Sequence, residues 1–417
     1  MTESLGGDVR ERQQAEIVVI GGGAVGCAVA YSLAKAGKTD VLLLEKESNL
    51  AAATTPQAAG LVGQVRNSVE RTRLAMWSVE TFSQLQQDQQ ANPGWRQVGS
   101  LRVALCDERV EEFQHMRSVA DQAGLEVEFI DNRAAQEKWP IIDFARAKAV
   151  LWCPSDGYLQ PSDLTMAYVH HARRLGVRFQ TNAAAVNIVV DDGHVCAVET
   201  TQGRIECQTV VNAAGAHAYH LAQCVGLELP IVPVRHEYFV TVEANGLDPS
   251  LPVVRIPDST LYLRAEVNAL LCGGWEPQGM SVDPTKFPLD IDLPAIAADW
   301  DVLGVFAEQL APEIPQVSEL GIRSVFKGWP TFTPDGRFII GESSRVRGFF
   351  MAGGCNAHGV SGSAGIGRHL VESMLEPDPS PYVRSLSPDR FTEQTWDWAS
   401  ARQQAQHYYE TYYCLGH

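Results

Sequence analysis

The stretch Ile17-Val18-Val19-Ile20-Gly21-Gly22-Gly23-Ala24-Val25-Gly26 constrains the fold more than any other. Four β-branched residues predict a buried strand. The glycines predict a tight turn, and Cys27 to Lys35 predicts a helix with a small-residue face, stopped at Gly37. Gly21, Gly23 and Gly26 keep the G-x-G-x-x-G spacing. In that pattern the first glycine makes the turn and the second lets backbone N–H groups approach a pyrophosphate. The third lets helix and strand pack closely. The helix N-terminus adds the positive end of a dipole. A second apolar run, Val41 to Leu44, ends at Glu45, about 20 residues past the glycines, where an acid takes ribose hydroxyls. This succession points to a dinucleotide site, and Glu45 argues against a 2′-phosphate and so against NADP.

A chain of 417 residues has room for two domains or one large interleaved pair. Its net charge of −17 disfavours a nucleic-acid partner, which needs a basic footprint. No apolar run is long enough to span a membrane. The opening MTESLGGDVRERQQAE is polar, lacks the apolar core of a signal peptide and reads as a loose leader. The nine cysteines are scattered without a CxxC pair, so neither a metal site nor a disulfide framework is expected, and the cytoplasm is the default compartment. Cys27 reads as a packing residue, and Cys355 lies in a glycine-rich loop with no thiol chemistry expected of it.

Further along, residues 48 to 60 are small and hydroxylated, with Thr54 and Thr55 able to bond a phosphate or flavin. Val69 to Gln87 predicts an amphipathic helix with Leu74, Trp77, Phe82 and Leu85 in the core. Ser100 to Leu105, a helix over Glu108 to Ala123 and a strand over Val127 to Ile130 look like part of a second, inserted domain. A helix is expected over Met166 to Leu175, capped by Ser162 or Asp163. Asp191-Asp192-Gly193-His194 predicts a hairpin turn. Thr209 to Ala214 is a buried strand emerging beside the first turn, with His217 and His220 in the helix that follows. Val232–Val242 and Thr260–Gly273 alternate like antiparallel strands, Leu293 to Gln309 is helical, and Gly321 to Phe326 returns towards the first domain. Phe349 to Ala352 enters the loop Gly353 to Gly365, and a helix over Ile366 to Leu375 again puts N–H groups at a helix start.

These stretches together resemble the D-amino-acid oxidase-like family of FAD amine oxidoreductases, most of all the flavin portion of dimethylglycine and sarcosine dehydrogenases. VVNAAGAHA, GWPTFTPDGRFIIGE and GFFMAGGCNAHGVSGSAGIGRHL carry the family likeness. GYLQPSDLT, RHEYFVT, LYLR and SPDRF…AQHYYETYY point to the dimethylglycine branch. The resemblance spans nearly the whole chain. It implies an α/β FAD-binding domain, Rossmann-like, with an inserted α+β substrate domain built on an antiparallel sheet. The FAD-binding part would take 1–91, 152–231 and 325–388. The substrate part would take 92–151 and 232–324, leaving 389–417 as a helical tail packed on the surface.

Around FAD the resemblance implies Gly21, Gly23, Ala24, Val25, Gly26, Glu45 and Lys46 at the nucleotide end, with Val186 beside them. Thr54, Thr55, Gln57, Ala59, Gly60, Ala213, Gly215 and Gly328 would follow, then Gly354, His358, Gly359, Val360 and Ser361 of the last loop. The departures from the family carry information. The dimethylglycine branch attaches FAD through a His in W-H-A-A-G, and that position is Gln57 here. Monomeric sarcosine oxidases use a Cys where this chain has Gly328, so FAD is expected to be held without a covalent link. The same oxidases bind a substrate carboxylate with a Lys where Ser361 stands, and their oxygen-activating Lys aligns with Leu271. No folate-binding domain is expected, since only about 40 residues follow Leu375.

The implied reaction removes a hydride equivalent from a carbon beside an amine nitrogen, from an N-methyl or N,N-dimethyl amino acid. The iminium so formed hydrolyses to amine and aldehyde. Electrons pass to oxygen or to another acceptor. The amine must be neutral to react, so a His or Tyr at the substrate is wanted. His236 matches the His of the branch's H-x-Y motif and Tyr262 the Tyr of its Y-L-R motif. Arg264 or Arg66 is suited to a substrate carboxylate, and Trp275 and Trp329 to the pocket wall. Two other readings stay open: a flavoprotein subunit of a heteromeric amino-acid or imino-acid dehydrogenase that passes electrons to a partner, and a flavoprotein without turnover.

Overall fold

A computed structural model describes residues 13–415. The leader read from residues 1–12 lies outside them. Two large sheets organise the described residues. In the first, Arg178–Gln180, Val41–Leu44, Ile17–Ile20, Thr209–Asn212 and Val346–Gly353 run parallel, with Val18 facing Leu42 on one side and Val210 on the other. All four residues of Ile17–Ile20 are buried. That is what a strand covered on both faces requires, and it explains a continuous apolar run instead of an alternating one. Helix Ala24–Lys35 packs on one face with Pro161–Arg174 and Ser363–Leu375. Leu33, Phe82, Tyr168 and Ile366 fill the core between them. Helix Ala218–Cys224 and the hairpin Ala185–Asp191/His194–Thr200 cover the other face. The hairpin turns at Asp192 and Gly193, both with positive φ (45° and 75°), as a two-residue turn demands.

The second sheet has eight strands, in the order Ile322–Gly328, His236–Thr241, Ala269–Gly274, Leu261–Glu266, Val253–Ile256, Ser100–Ala104, Ala149–Cys153 and Glu128–Ile130. Every pairing is antiparallel except that of Val253–Ile256 with Ser100–Ala104. One face packs on Leu303, Phe306 and Leu310 of helix Trp300–Leu310. The other face carries the polar residues that line the cavity described below.

Several expectations shift. The helix expected from Met166 begins at Pro161, whose fixed φ suits a first helical position, and neither Ser162 nor Asp163 caps it. The helix expected from Leu293 begins only at Trp300, where the Asp299 carboxylate accepts from Val302 N–H. The strand after Gly321 does not return to the first sheet. It pairs with His236–Thr241 over its whole length. Ala149–Cys153 also lies wholly in the second sheet, so the joins read at 151/152 and 324/325 fall inside strands.

The tail packs back through one face. Helix Trp398–Glu410 keeps Gln403, Gln404 and His407 exposed. Ala401, Ala405 and Tyr409 share one face at helical spacing and are buried against Val232, Val234, Trp275 and Phe332.

Candidate active site

The cavity, about 320 Å³, opens between the glycine turn of the first sheet and the polar face of the second. Gly21 has φ +117°, and a Cβ there would stand 2.4 Å from the Ala213 carbonyl oxygen. A Cβ on Gly26 would stand 1.9 Å from the Gly21 oxygen. Gly23 is different. Its backbone is ordinary extended chain, and an added Cβ would meet only Thr55 Oγ1, at 3.0 Å. Gly23 therefore keeps space open on the cavity side, in front of the first turn of helix Ala24–Lys35. That open cradle at a helix N-terminus fits a pyrophosphate. Thr55 Oγ1 accepts from Ala24 N–H at 3.1 Å and fixes the loop against the turn. Glu45 accepts from Gly22 N–H at 2.7 Å and Glu47 N–H at 2.9 Å, which pins its carboxylate beside the turn.

The cavity wall gathers Gly23, Ala24, Val25, Thr54, Thr55, Gln57, Ala59, Gly60, Ala213, Gly215, Gly328, His358, Gly359, Val360 and Ser361. Gly21, Gly26, Glu45, Lys46, Val186 and Gly354 are not on it. Lys46 is paired with Asp292 and Glu47. Val186 is 46% exposed on its hairpin. Gly354 serves a turn at φ +59°, where a Cβ would strike Thr333 Cγ2 at 2.5 Å. Gln57 and Gly328 face each other, and a Cβ on Gly328 would lie 3.2 Å from that of Gln57. Neither offers a nucleophile.

Across the cavity, His236 and Tyr262 stand on the two strands that flank Ala269–Gly274 in the second sheet, with His236 Nε2 2.8 Å from the Tyr262 oxygen. His236 Nδ1 lies 3.2 Å from the Tyr409 oxygen, and Tyr409 donates to Glu276 Oε1 at 3.2 Å. Arg235 holds Glu276 at 2.6 Å and Asp299 at 2.9 Å. Because Tyr409 gives its proton to Glu276, it accepts from Nδ1–H, and Nε2 then accepts from Tyr262 O–H. Burial pushes the His236 imidazole down to about 4, which keeps it neutral, and raises the Tyr262 and Tyr409 phenols well above their usual range. Burial also raises Glu276, against the pull of Arg235. Gly273 sits opposite Tyr262 in register, and a Cβ there would meet the phenol oxygen at 2.3 Å. The sequence reading did not single out Gly273 or Tyr409.

The imidazole of His236 titrates at about 4 when folded and about 6.5 when free. The unfolded chain then binds more protons between those values, so stability is full above pH 6.5 and falls as pH drops towards 4. Between pH 7.5 and pH 5, wild type is expected to lose about 2 kcal/mol more stability in urea titrations than His236→Gln. Equal losses would show that His236 is not kept neutral by the fold.

Arg264 does not reach the cavity. Its Nε donates to the Ala59 carbonyl at 2.9 Å, its Nη1 bonds Glu266 at 2.5 Å, and its guanidinium lies 4.5 Å over the Tyr158 ring. Arg66 does reach it, as do Trp275 and Trp329. Tyr412 stacks on Trp275 with centroids 3.9 Å apart, and its hydroxyl is 2.8 Å from His358 Nε2. His358 Nδ1 is satisfied by the Asn356 carbonyl, and burial first, then Arg66 and Arg71, holds this imidazole well below its usual range. Cys355 lines the cavity as a protonated thiol, pushed up to about 12 by burial. Among the described residues no cluster of His, Cys, Asp or Glu could hold a metal.

A parallel sheet with a glycine turn at its centre, roofed by a second sheet, defines a dinucleotide-dependent oxidoreductase fold. Residues 16–373 match the family of FAD dependent oxidoreductases, DAO, and the chain belongs to it. The chain is 31% identical over 375 residues to 4-methylaminobutanoate oxidase (formaldehyde-forming) of Paenarthrobacter nicotinovorans, covering 90% of this chain and 45% of that protein. It is 31% identical to mitochondrial dimethylglycine dehydrogenase of Rattus norvegicus over 392 residues, 92% of this chain and 46% of that one. The chain thus spans about half the length of the curated relatives it matches. Among solved structures, L-proline dehydrogenase from P. horikoshii superposes with TM-score 0.82 at 24% identity, over 92% of this chain and 99% of that one. The resemblance read from the motifs and the FAD-binding fold it implied are both met. Among the described residues no helix is long and apolar enough to cross a membrane.

Proposed function

We propose that this chain oxidises a secondary or tertiary amine of the N-methyl or N,N-dimethyl amino acid type. The observation that carries the reading is the His236–Tyr262 pair on the wall facing the FAD cradle, backed by Tyr409 and Glu276. Bound FAD supplies the acceptor for the hydride equivalent leaving the carbon beside nitrogen. The residues that would hold it are Gly23 to Val25 with the N–H groups of that turn, Thr54 and Thr55, and the loop around His358 to Ser361.

An amine enters as an ammonium, whose nitrogen has no lone pair to assist C–H cleavage. Tyr262 directs its proton at His236, so its oxygen lone pair is free towards the cavity to accept from substrate N–H. As that proton arrives, the phenol proton moves to His236 Nε2, and Nδ1–H and Tyr409 carry the shift on to Glu276. The chain of four groups thereby moves one proton off the substrate without placing a full charge on the phenol. Arg66 suits the substrate carboxylate, and Trp275 and Trp329, which also line the cavity, suit an apolar wall beside the reacting nitrogen. Loss of hydride from carbon leaves an iminium, which water hydrolyses to amine and aldehyde.

Mixing oxidised holoprotein anaerobically with N-methyl and N,N-dimethyl amino acids tests this reading. Loss of the flavin absorbance by at least one of them is expected. A flavin that stays oxidised with the whole panel would sink it.

The flavin is expected to be released. Gln57 and Gly328 lack the His and Cys through which the resembled enzymes bind it covalently, so acid precipitation should move all the yellow colour into the supernatant. Colour retained in a washed pellet would contradict this.

A further inference from the structure

The cavity holds more positive charge than a single carboxylate would need. Arg66, Arg102 and Arg255 all line it. Arg102 and Arg255 are cross-strand neighbours in the second sheet, in register with each other, and Arg255 is in register with Tyr262 on its other side. Like charges directly opposite each other destabilise a sheet. Both side chains are nonetheless buried, 6% and 8% exposed. Arg66 Nη1 and Arg102 Nη2 converge on one acceptor, the Val65 carbonyl, at 2.9 and 3.1 Å. Arg102 Nε and Arg255 Nη1 have no hydrogen-bond partner. Among the described residues no carboxylate forms an ion pair with any of the three. Asp156 is turned to Ser100 and Gln64, while Glu112 and Asp258 are taken by Arg109.

Buried guanidinium groups are stabilised by an anion that pairs with them, and the cavity gives an anion access to these. The order across the sheet, Tyr262, then Arg255, then Arg102, fixes where it sits. Strands lie about 4.8 Å apart, so the two arginines begin one and two strand spacings beyond the group that faces the reacting nitrogen.

We propose that the substrate carries two anionic groups: it is an N-substituted amino dicarboxylic acid, one carboxylate on Arg66 and the other on the Arg102–Arg255 pair. This rests on the amine-oxidation reading above and narrows its substrate class. A guanidinium pair presents parallel N–H donors that match a carboxylate in two places, which a monocarboxylic amino acid cannot use while its only carboxylate occupies Arg66.

Two readouts separate this inference from the reading beneath it. The first is binding without turnover. Glutarate and butyrate, neither of which is an amine, are titrated into the holoprotein and followed by perturbation of the flavin spectrum and by thermal shift. Glutarate is expected to bind at least tenfold tighter. In Arg102→Met and Arg255→Met that preference should fall to near one, while both variants melt higher than wild type without ligand because a buried repulsion is gone. Equal binding of the two acids by wild type overturns the proposal, and so does an undiminished preference in both variants. The wild-type comparison decides even if a variant fails to fold.

The second readout is anaerobic flavin bleaching by N-methylglutamate and N-methylalanine. Faster bleaching at lower concentration by N-methylglutamate supports the dicarboxylic substrate. Equal bleaching by both leaves amine oxidation standing and overturns the second anion site. If neither bleaches the flavin and glutarate still binds tenfold tighter, the anion site is supported and the amine reading falls.

Discussion

Gly23→Val is expected to yield a folded protein that purifies without FAD. Gly23 has φ −79° and ψ −178°, a conformation valine adopts freely, so the turn itself survives. The added side chain meets Thr55 Oγ1 and then projects into the space in front of the helix. Overpacking costs about 1–3 kcal/mol, and a lost hydrogen bond to a charged group costs about 1.5–3. Together these reach about 4 kcal/mol, or roughly a thousandfold in affinity. The ratio of flavin to protein absorbance, read beside the circular dichroism spectrum, checks it. Gly26→Val provides the contrast. A Cβ there would overlap the Gly21 carbonyl at 1.9 Å, so that variant should lose the fold itself. Stoichiometric FAD in Gly23→Val would mean that the pyrophosphate lies elsewhere.

Tyr262→Phe and His236→Ala should keep FAD yet slow its reduction by substrate, by roughly the 10²–10⁴-fold of a lost acid–base group. Both side chains stand on the second sheet, away from the glycine turn, so cofactor affinity is not at stake. The pH profile separates a proton role from a packing role. Above about pH 10 a simple amine is neutral in solution and no longer needs a proton acceptor, so the deficit should shrink as pH rises. A deficit unchanged across pH would make the pair a wall of the pocket and nothing more. Tyr409→Phe interrupts the same chain one step back and should show a smaller deficit with the same pH trend.

The glycine turn was legible because its spacing is fixed by local geometry: each glycine answers a contact within a few residues or on the adjacent strand. His236 and Tyr262 were found by motif likeness, and the alternation of their strands put them on one face. Arg102 and Arg255 were not found. They are some 150 residues apart, and only the parallel pairing of Ser100–Ala104 with Val253–Ile256 brings them together. Arg264 misled because it shares the face of Tyr262, yet it sits farther along the strand, over Ala59 and Tyr158. The tail reads as helices packed back on the surface, but its sequence does not say which residues do the packing. Ala401, Ala405 and Tyr409 recur every four residues on a single narrow face, and the intervening Gln, Arg and His residues mask it.

The position of Tyr409 has a consequence for how the protein is made. The glycine turn leaves the ribosome first, but the parallel sheet around it stays open until Val346–Gly353 is added beside Thr209–Asn212. Tyr409 emerges later still. At about 5–20 residues per second, several seconds separate synthesis of Val346–Gly353 from synthesis of the helix that brings Tyr409 to His236. Under the proposed proton path, a chain interrupted ahead of helix Trp398–Glu410 would leave His236 cut off from Glu276, and Val232, Val234, Trp275 and Phe332 uncovered.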